Sequence, residues 1–173
     1  MAIGRSYEEA LMKAIRSLDI DKDLGYAGKY TTWTDEEVKK LLENPTDERL
    51  FAIYLALKRG MSSEEISKIT RIEPYFLYKM ENIIAMEKEI RAGLDAQVLR
   101  KAKRTGFTDK QIAGIVGKSQ EEITDMRILL GIIPTYKMVD TCAAEFEAKT
   151  PYYYSTYDTQ CELVPSDKKK VLI

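Results

Sequence analysis

Apolar residues recur every three or four positions over most of this chain, the spacing that gathers them on one face of a helix. Leu11, Ala14, Ile15 and Leu18 form one such stripe, and Val38, Leu41 and Leu42 form a shorter one. Each stripe follows a Ser or Thr with Glu three positions on, the capping box in which two side chains satisfy backbone N–H groups at a helix entrance. Allowing Gln for Glu, the pattern occurs at Ser6 with Glu9, Thr34 with Glu37, Ser62 with Glu65, Thr108 with Gln111 and Ser119 with Glu122. Pro74 in a first turn and Asp95 as an N-cap predict two more helix starts, and Asn44-Pro45 ends the second helix. Gly60, Gly93, Gly106, Gly117 and Gly131 stand where left-handed C-caps belong. Leu50 to Leu57 is apolar almost all round, which on a helix means burial on every side, so it is expected to be a central core element. Asp19 to Thr32, polar and holding Gly25 and Gly28, reads as an irregular connection.

The middle of the chain repeats itself. Ala56, Lys58, Gly60, Met61, Ser62, Ile66 and Ile69 return as Ala102, Arg104, Gly106, Phe107, Thr108, Ile112 and Ile115, an offset of 46 residues as counted from Gly60 to Gly106. Each copy reads as helix, glycine stop, apolar residue, hydroxyl cap, short helix and further helix, so two related helical units are expected to pack together. Two copies are too few for a solenoid.

After Gly131 the pattern changes. Pro134 to Tyr157 holds helix-breaking prolines and the run Tyr152-Tyr153-Tyr154 with Tyr157, which predicts extended chain laid over a surface. Lys168 to Ile173 ends in Val171-Leu172-Ile173 and resembles the start of a buried strand. The fold class expected is therefore all-α, two related helical units followed by an extended tyrosine-rich segment.

Composition narrows the function more than the fold. The chain has 173 residues, with 27 basic against 28 acidic side chains and a net charge of -1, which gives no global field to attract nucleic acid or an anionic membrane. It has no histidine, so the commonest general base and metal ligand are missing. Its two cysteines, Cys142 and Cys161, lie outside any C-x-x-C spacing, so neither a zinc ribbon nor a thioredoxin-like motif is available. No stretch approaches the roughly 20 apolar residues of a membrane span, nor does the N-terminus read as a signal peptide, so a cytoplasmic protein is expected.

Four features invite a chemical reading, and each has a plainer one. Thr108 to Leu130 has the spacing of a helix-turn-helix, the alternative function considered. Its second helix, however, opens Gln120-Glu121-Glu122 and adds Asp125 against one Arg127, which sets carboxylates where phosphates would lie. Arg100, Lys101, Lys103 and Arg104 suggest a phosphate site, but no glycine-rich loop accompanies them, and the solvated end of a helix explains them. The tyrosine cluster has no acid, base or metal partner nearby in sequence and suits packing against a partner. Cys142 lacks the histidine that would activate it and reads as a buried structural thiol. No catalytic, cofactor-binding or metal-binding residue is assigned.

The segment Tyr136-Lys137-Met138-Val139-Asp140-Thr141-Cys142-Ala143-Ala144-Glu145-Phe146, then Tyr154-Ser155-Thr156-Tyr157, resembles a signature of the carbamoyl-phosphate synthetase large subunit. Met1 to Arg5 with Glu8-Glu9 and Lys13-Ala14, Phe76-Leu77 with Glu81, and Lys103-Arg104 with Gly106-Phe107 are similar to that family too. The resemblance covers essentially the whole chain. It implies a helical oligomerisation domain between two ATP-grasp synthetase halves of a glutamine-hydrolysing ligase. That ligase makes carbamoyl phosphate from bicarbonate, glutamine-derived ammonia and ATP, for arginine and pyrimidine biosynthesis. ATP and magnesium or manganese would belong to the parent enzyme, with no cofactor in this segment. The implied partners are the flanking halves, a small glutaminase subunit and further copies of the chain, with no nucleic acid and no membrane.

On the same resemblance, residues 1–5 are the tail of one half, 6–133 the helical domain with repeat units near 50–92 and 95–131, 134–167 a connecting segment, and 168–173 the first strand of the next half. The interface is expected on the short helix Asp35 to Glu43 with Trp33. Such a helix is too short to persist alone, so Val38, Leu41 and Leu42 must be covered. The expectation is that Leu41 turns inward and Leu42 toward a second copy.

Overall fold

The computed structural model describes residues 1–18, 20, 23–24, 29–143, 145–147 and 152–169. Among these residues there are eight α-helices: α1 (Tyr7–Arg16), α2 (Asp35–Glu43), α3 (Arg49–Lys58), α4 (Ser63–Thr70), α5 (Pro74–Ala92), α6 (Ala96–Thr105), α7 (Asp109–Val116) and α8 (Gln120–Leu129). A 3-10 turn at Lys29–Thr32 precedes α2, and two short strands, β1 (Thr135–Met138) and β2 (Tyr153–Thr156), follow α8. The fold is all-α, as expected.

Local chemistry explains where the helices begin. Thr34, Ser62, Thr108 and Ser119 each accept the N–H three residues on, while the side chain at that third position accepts the cap's own N–H. Ser6 also accepts from the Glu9 N–H, but the Glu9 carboxylate turns back one residue further, to the Arg5 N–H at 2.6 Å. A cap of this kind contributes about 1 kcal/mol. That matters most for α4 and α7, which at 8 residues each are far below the length of a self-supporting helix.

The repeat is visible in the backbone. Met61 N–H donates to Ala56 O at 3.0 Å, and 46 positions on Phe107 N–H donates to Ala102 O at 3.1 Å. Helices α4 and α7 correspond residue for residue at that offset, and α5 and α8 start at the equivalent Pro74 and Gln120. Gly60 and Gly106 are left-handed at φ 98° and 104°, and the second stop is left-handed in both units, Arg71 at 62° and Gly117 at 72°. Gly93 departs from expectation: its φ of 168° is extended, so α5 ends without a left-handed cap.

Helix α5, 19 residues long, is the axis of the core. It packs against α1, α3, α4, α6 and α7, burying Leu77, Met80, Ile83, Ile84, Met86 and Ile90. Helix α3 is buried from Phe51 to Leu57, as its all-round apolar pattern requires. Its polar tie to α5 is the buried Glu87, which accepts from the Tyr54 hydroxyl at 2.8 Å and from Lys58 and Arg91. Burial, then the neighbouring carboxylate, pushes the Tyr54 phenol up, so it remains a donor. The connection after α1 is less polar in effect than in composition, because Leu24 and Tyr30 both reach the core. Gln111, the box residue of α7, donates to Leu24 O at 3.2 Å and Tyr30 donates to Asp23 O at 2.6 Å, so of this connection the described residues Asp23, Leu24 and Tyr30 are tied to one another and to α7.

Gly106 lies where two parts of the chain approach closely. Its left-handed φ excludes most side chains, and a Cβ there would lie 2.9 Å from Met12 Cβ on α1. The Arg16 guanidinium completes the joint, donating to Gly106 O at 2.7 Å.

β1 and β2 pair antiparallel, Thr135 with Thr156 through Met138 with Tyr153. One face of the ribbon turns Lys137 and Thr156 inward, and the other leaves Tyr136, Met138 and Tyr153 exposed. Residues 139–143 and 145–147 form no strand, and the strand expected near 168–173 lies largely outside the described residues.

Candidate assembly surface

Helix α2 is held against α3 by its Val38 and Leu42 side chains, both buried. Leu42 is fully buried at 0 % exposure and Leu41 is only half-buried, which reverses the expected inward and outward pair. The reason is helical phase. Val38 and Leu42 are four residues apart and nearly eclipsed, so one helix face buries both, while Leu41 sits off to the side. Arg49 at the start of α3 locks that phase by donating to Leu42 O through Nε at 3.2 Å and through Nη2.

Trp33 is placed by the turn before α2. Its ring lies 6.1 Å from the buried Tyr30 ring, edge on, and Tyr30 in turn lies 5.3 Å from Phe51. Arg59 donates to Trp33 O at 2.6 Å and pairs with Asp35 at 2.8 Å. Trp33 and Leu41 therefore meet at one shallow cleft of about 320 Å³, walled by Glu37, Lys40, Asn44, Thr46 and Glu48. The four residues singled out from the sequence fall into two layers: Val38 and Leu42 beneath, Trp33 and Leu41 at the surface.

A second constellation escaped sequence reading. Asp109 at the first turn of α7 accepts from Lys103 at 2.6 Å, from Arg127 at 3.0 Å and from the Thr124 hydroxyl at 3.1 Å. Tyr157 covers the group, its ring centre 5.0 Å from Lys103 Nζ and 5.7 Å from Arg127 Cζ, within cation–π range. Burial raises the Asp109 carboxyl, but the two cations outweigh it and hold the group below its ordinary value. Burial, opposed by Asp109, lowers Lys103. Part of the basic run of α6 is thus turned inward as a tie between α6, α7, α8 and the C-terminal segment. No signal within α6 distinguishes Lys103 from its neighbours, since its partners lie 6, 24 and 54 residues on.

The remaining candidates separate cleanly. Lys101 pairs with Glu89 at the surface, where such pairs contribute little. Tyr152 and Tyr153 are exposed, and Tyr154 is half-buried under Lys13. Cys142 is partly exposed rather than buried, in a turn where its N–H donates to Asp140 at 3.0 Å. Among the described residues no group of three or more His, Cys, Asp or Glu side chains is placed to hold a metal, and no helix is long and apolar enough to cross a membrane.

The architecture is that of a helical domain built on a duplicated three-helix unit, with an N-terminal helix and a short β-ribbon bound to it. Residues 1–131 match the oligomerisation domain of the carbamoyl-phosphate synthetase large chain, and the chain belongs to that family. It is 69% identical over its full 173 residues to a carbamoyl phosphate synthase large chain of Methanothrix thermoacetophila, and 53% identical over 174 aligned positions to one of Methanosarcina acetivorans. In both comparisons the chain spans 16% of the relative's length. A Methanopyrus kandleri relative, described as the N-terminal section of the large chain, is 46% identical, with 96% of this chain aligned to 33% of that section. Nothing supports the DNA-binding alternative.

Proposed function

We propose that this chain acts as the assembly module of a carbamoyl phosphate synthase large chain, joining copies of that chain and carrying its other domains. Its match to the oligomerisation domain over residues 1–131 is the observation that carries this reading. The parent ligase would form carbamoyl phosphate from bicarbonate, glutamine-derived ammonia and ATP with a divalent metal, in the cytoplasm and with a small glutaminase subunit. In that enzyme residues 6–133 form the helical domain, flanked by the two synthetase halves.

One contact between copies lies on α2, with Leu41 and Trp33 at the surface and Val38 and Leu42 holding them from below. Interfaces depend on a few central apolar or aromatic anchors, and a carboxylate placed among them without a partner weakens association by roughly tenfold or more. Sedimentation over a range of concentrations tests this. Leu41→Glu is expected to lower the association state while helicity and cooperative melting persist. Leu42→Glu is expected to unfold the chain instead, because its carboxylate would enter the core. Unchanged association in Leu41→Glu would remove α2 from the interface.

A further inference from the structure

The basic run of α6 divides three ways in the fold. Lys103 turns inward to Asp109 and Lys101 pairs with Glu89, but Arg100 and Arg104 are exposed and have neither a hydrogen bond nor an ion pair among the described residues. Asp158, held below its ordinary value first by the Thr159 N–H, feels Arg104 only through space. The two arginines stand four residues apart, so their guanidinium groups are neighbours on one helix face and repel each other. Gln97, three residues before Arg100, adds an amide donor to that face.

This face is one wall of a groove of about 750 Å³, bounded also by the start of α1, by α5 and by the end of β2. Four carboxylates line the groove, and each has a cation of its own. Glu8 pairs with Lys79 at 3.5 Å, Glu9 with Lys13 at 3.0 Å, Glu89 with Lys101 at 2.6 Å and Asp158 with Arg5 at 3.5 Å. Charge is therefore matched everywhere except along α6, where two forked donors stand without an acceptor. A guanidinium fork fits an oxyanion such as a carboxylate through two parallel N–H···O bonds.

We infer that this groove seats a carboxylate-bearing segment of the remainder of the large chain, with Arg100 and Arg104 as its anchors. The inference rests on the reading of this chain as a module of a longer subunit, and it names a surface by which the module holds its neighbour. The chain spans 16% of the length of its Methanothrix and Methanosarcina relatives. Whichever end the remainder is joined to, the connection passes a stretch that borders the groove, Arg5 and Ser6 before α1 or Thr156 to Asp158 at the end of β2. Tethering there raises the effective concentration of an attached segment at the groove. The charge left over is positive, so Asp or Glu side chains are its complement. An acceptor between the arginines also relieves the repulsion of two like charges one turn apart.

Phenylglyoxal modification of arginine, mapped by mass spectrometry on the full-length large chain and on the isolated 173 residues at matched concentrations, tests the inference. Arg100 and Arg104 are expected to react about tenfold more slowly in the full-length chain, as groups covered about nine-tenths of the time do. Arg100→Gln combined with Arg104→Gln is expected to leave the melting of the isolated chain unlowered, yet to speed limited proteolysis between this domain and its neighbours in the full-length chain by a similar factor. Lys101→Gln, which removes the same charge from a residue already paired, is expected to do neither. Equal arginine reactivity in the two chains would overturn the inference, as would protection with no effect of the double variant on proteolysis. Protection of the isolated chain that grows with its own concentration would place a second copy in the groove, and protection that needs added phosphate at constant ionic strength would place a small oxyanion there; either result overturns the inference. All of these outcomes leave the assembly role to its own test, the sedimentation of Leu41→Glu.

Discussion

The two helical units share a backbone plan and differ in what surrounds it. The first is central: α3 is buried on nearly every side, and α5 runs 19 residues through the core. The second is peripheral: α6 buries Leu99, Ala102 and Lys103, and α8 buries only Ile123. Where α3 has Tyr54, Leu55 and Leu57, α6 has Arg100, Lys101 and Lys103. The two units therefore share their caps and stops, which are local chemistry, while the side chains between them suit opposite positions in the domain. The same helix-turn-helix-turn-helix path can serve as a core or as a surface.

Truncation at paired positions tests that contrast most severely. Ile83→Ala is expected to lower the free energy of unfolding by about 2–5 kcal/mol, the range for a buried aliphatic residue that leaves a cavity, whereas Leu129→Ala at the equivalent position changes it by no more than about 0.5 kcal/mol. Chemical denaturation at concentrations too low for association measures both. Equal losses would erase the distinction between a core unit and a surface unit.

The polar ties sharpen the comparison next. Asp109 binds two cations in the second unit, while its counterpart Ser63 in the first donates to Glu81 at 2.7 Å. Asp109→Asn is expected to cost about 1–3 kcal/mol at neutral pH by leaving Lys103 and Arg127 without their carboxylate. The carboxyl is held below its ordinary value of 3.8, so its contribution is complete above that value and is lost as pH falls through the lower folded value. Melting of parent and variant across pH should therefore converge in acid and diverge toward neutral. A gap that stays constant with pH would remove the charge from the explanation.

The smallest test exchanges the second stops. Gly117 is left-handed with open space where a methyl group would project, so Gly117→Ala isolates backbone strain and should cost about 1 kcal/mol. Arg71→Gly should gain a similar or smaller amount, since Arg71 already holds that conformation without glycine. Thermal melting of the two variants reads opposite signs if the units are equivalent at this turn.

These contrasts explain what could be read in the chain. Thr34, Ser62, Thr108 and Ser119 announce their helices because each cap is satisfied within three residues, and α3 announces its burial because no polar face interrupts Leu50 to Leu57. The turn at Arg71 stayed hidden, because an arginine in the left-handed region carries no compositional mark. The phase of α2 also stayed hidden, as Val38, Leu41 and Leu42 fit a stripe centred on either leucine until Arg49 and α3 choose between them. At the candidate surface, Trp33 and Leu41 were legible as residues but not as a layer over Val38 and Leu42. The inward turn of Lys103 depends on Asp109, Arg127 and Tyr157, whose meeting is a tertiary event.

The close approach at Gly106 has a consequence for the order in which the chain takes shape during synthesis. Met12 and Arg16 of α1 reach their final seat only against a turn 90 residues downstream of Arg16. A ribosome adding about 5–20 residues per second needs roughly 5–20 seconds to deliver that turn after α1 has been made. Throughout that interval the apolar stripe of α1 is a nascent segment without its full docking site, and completing the domain waits on its second unit. A side chain added at residue 106 would obstruct this late docking of α1 as well as weaken the finished fold.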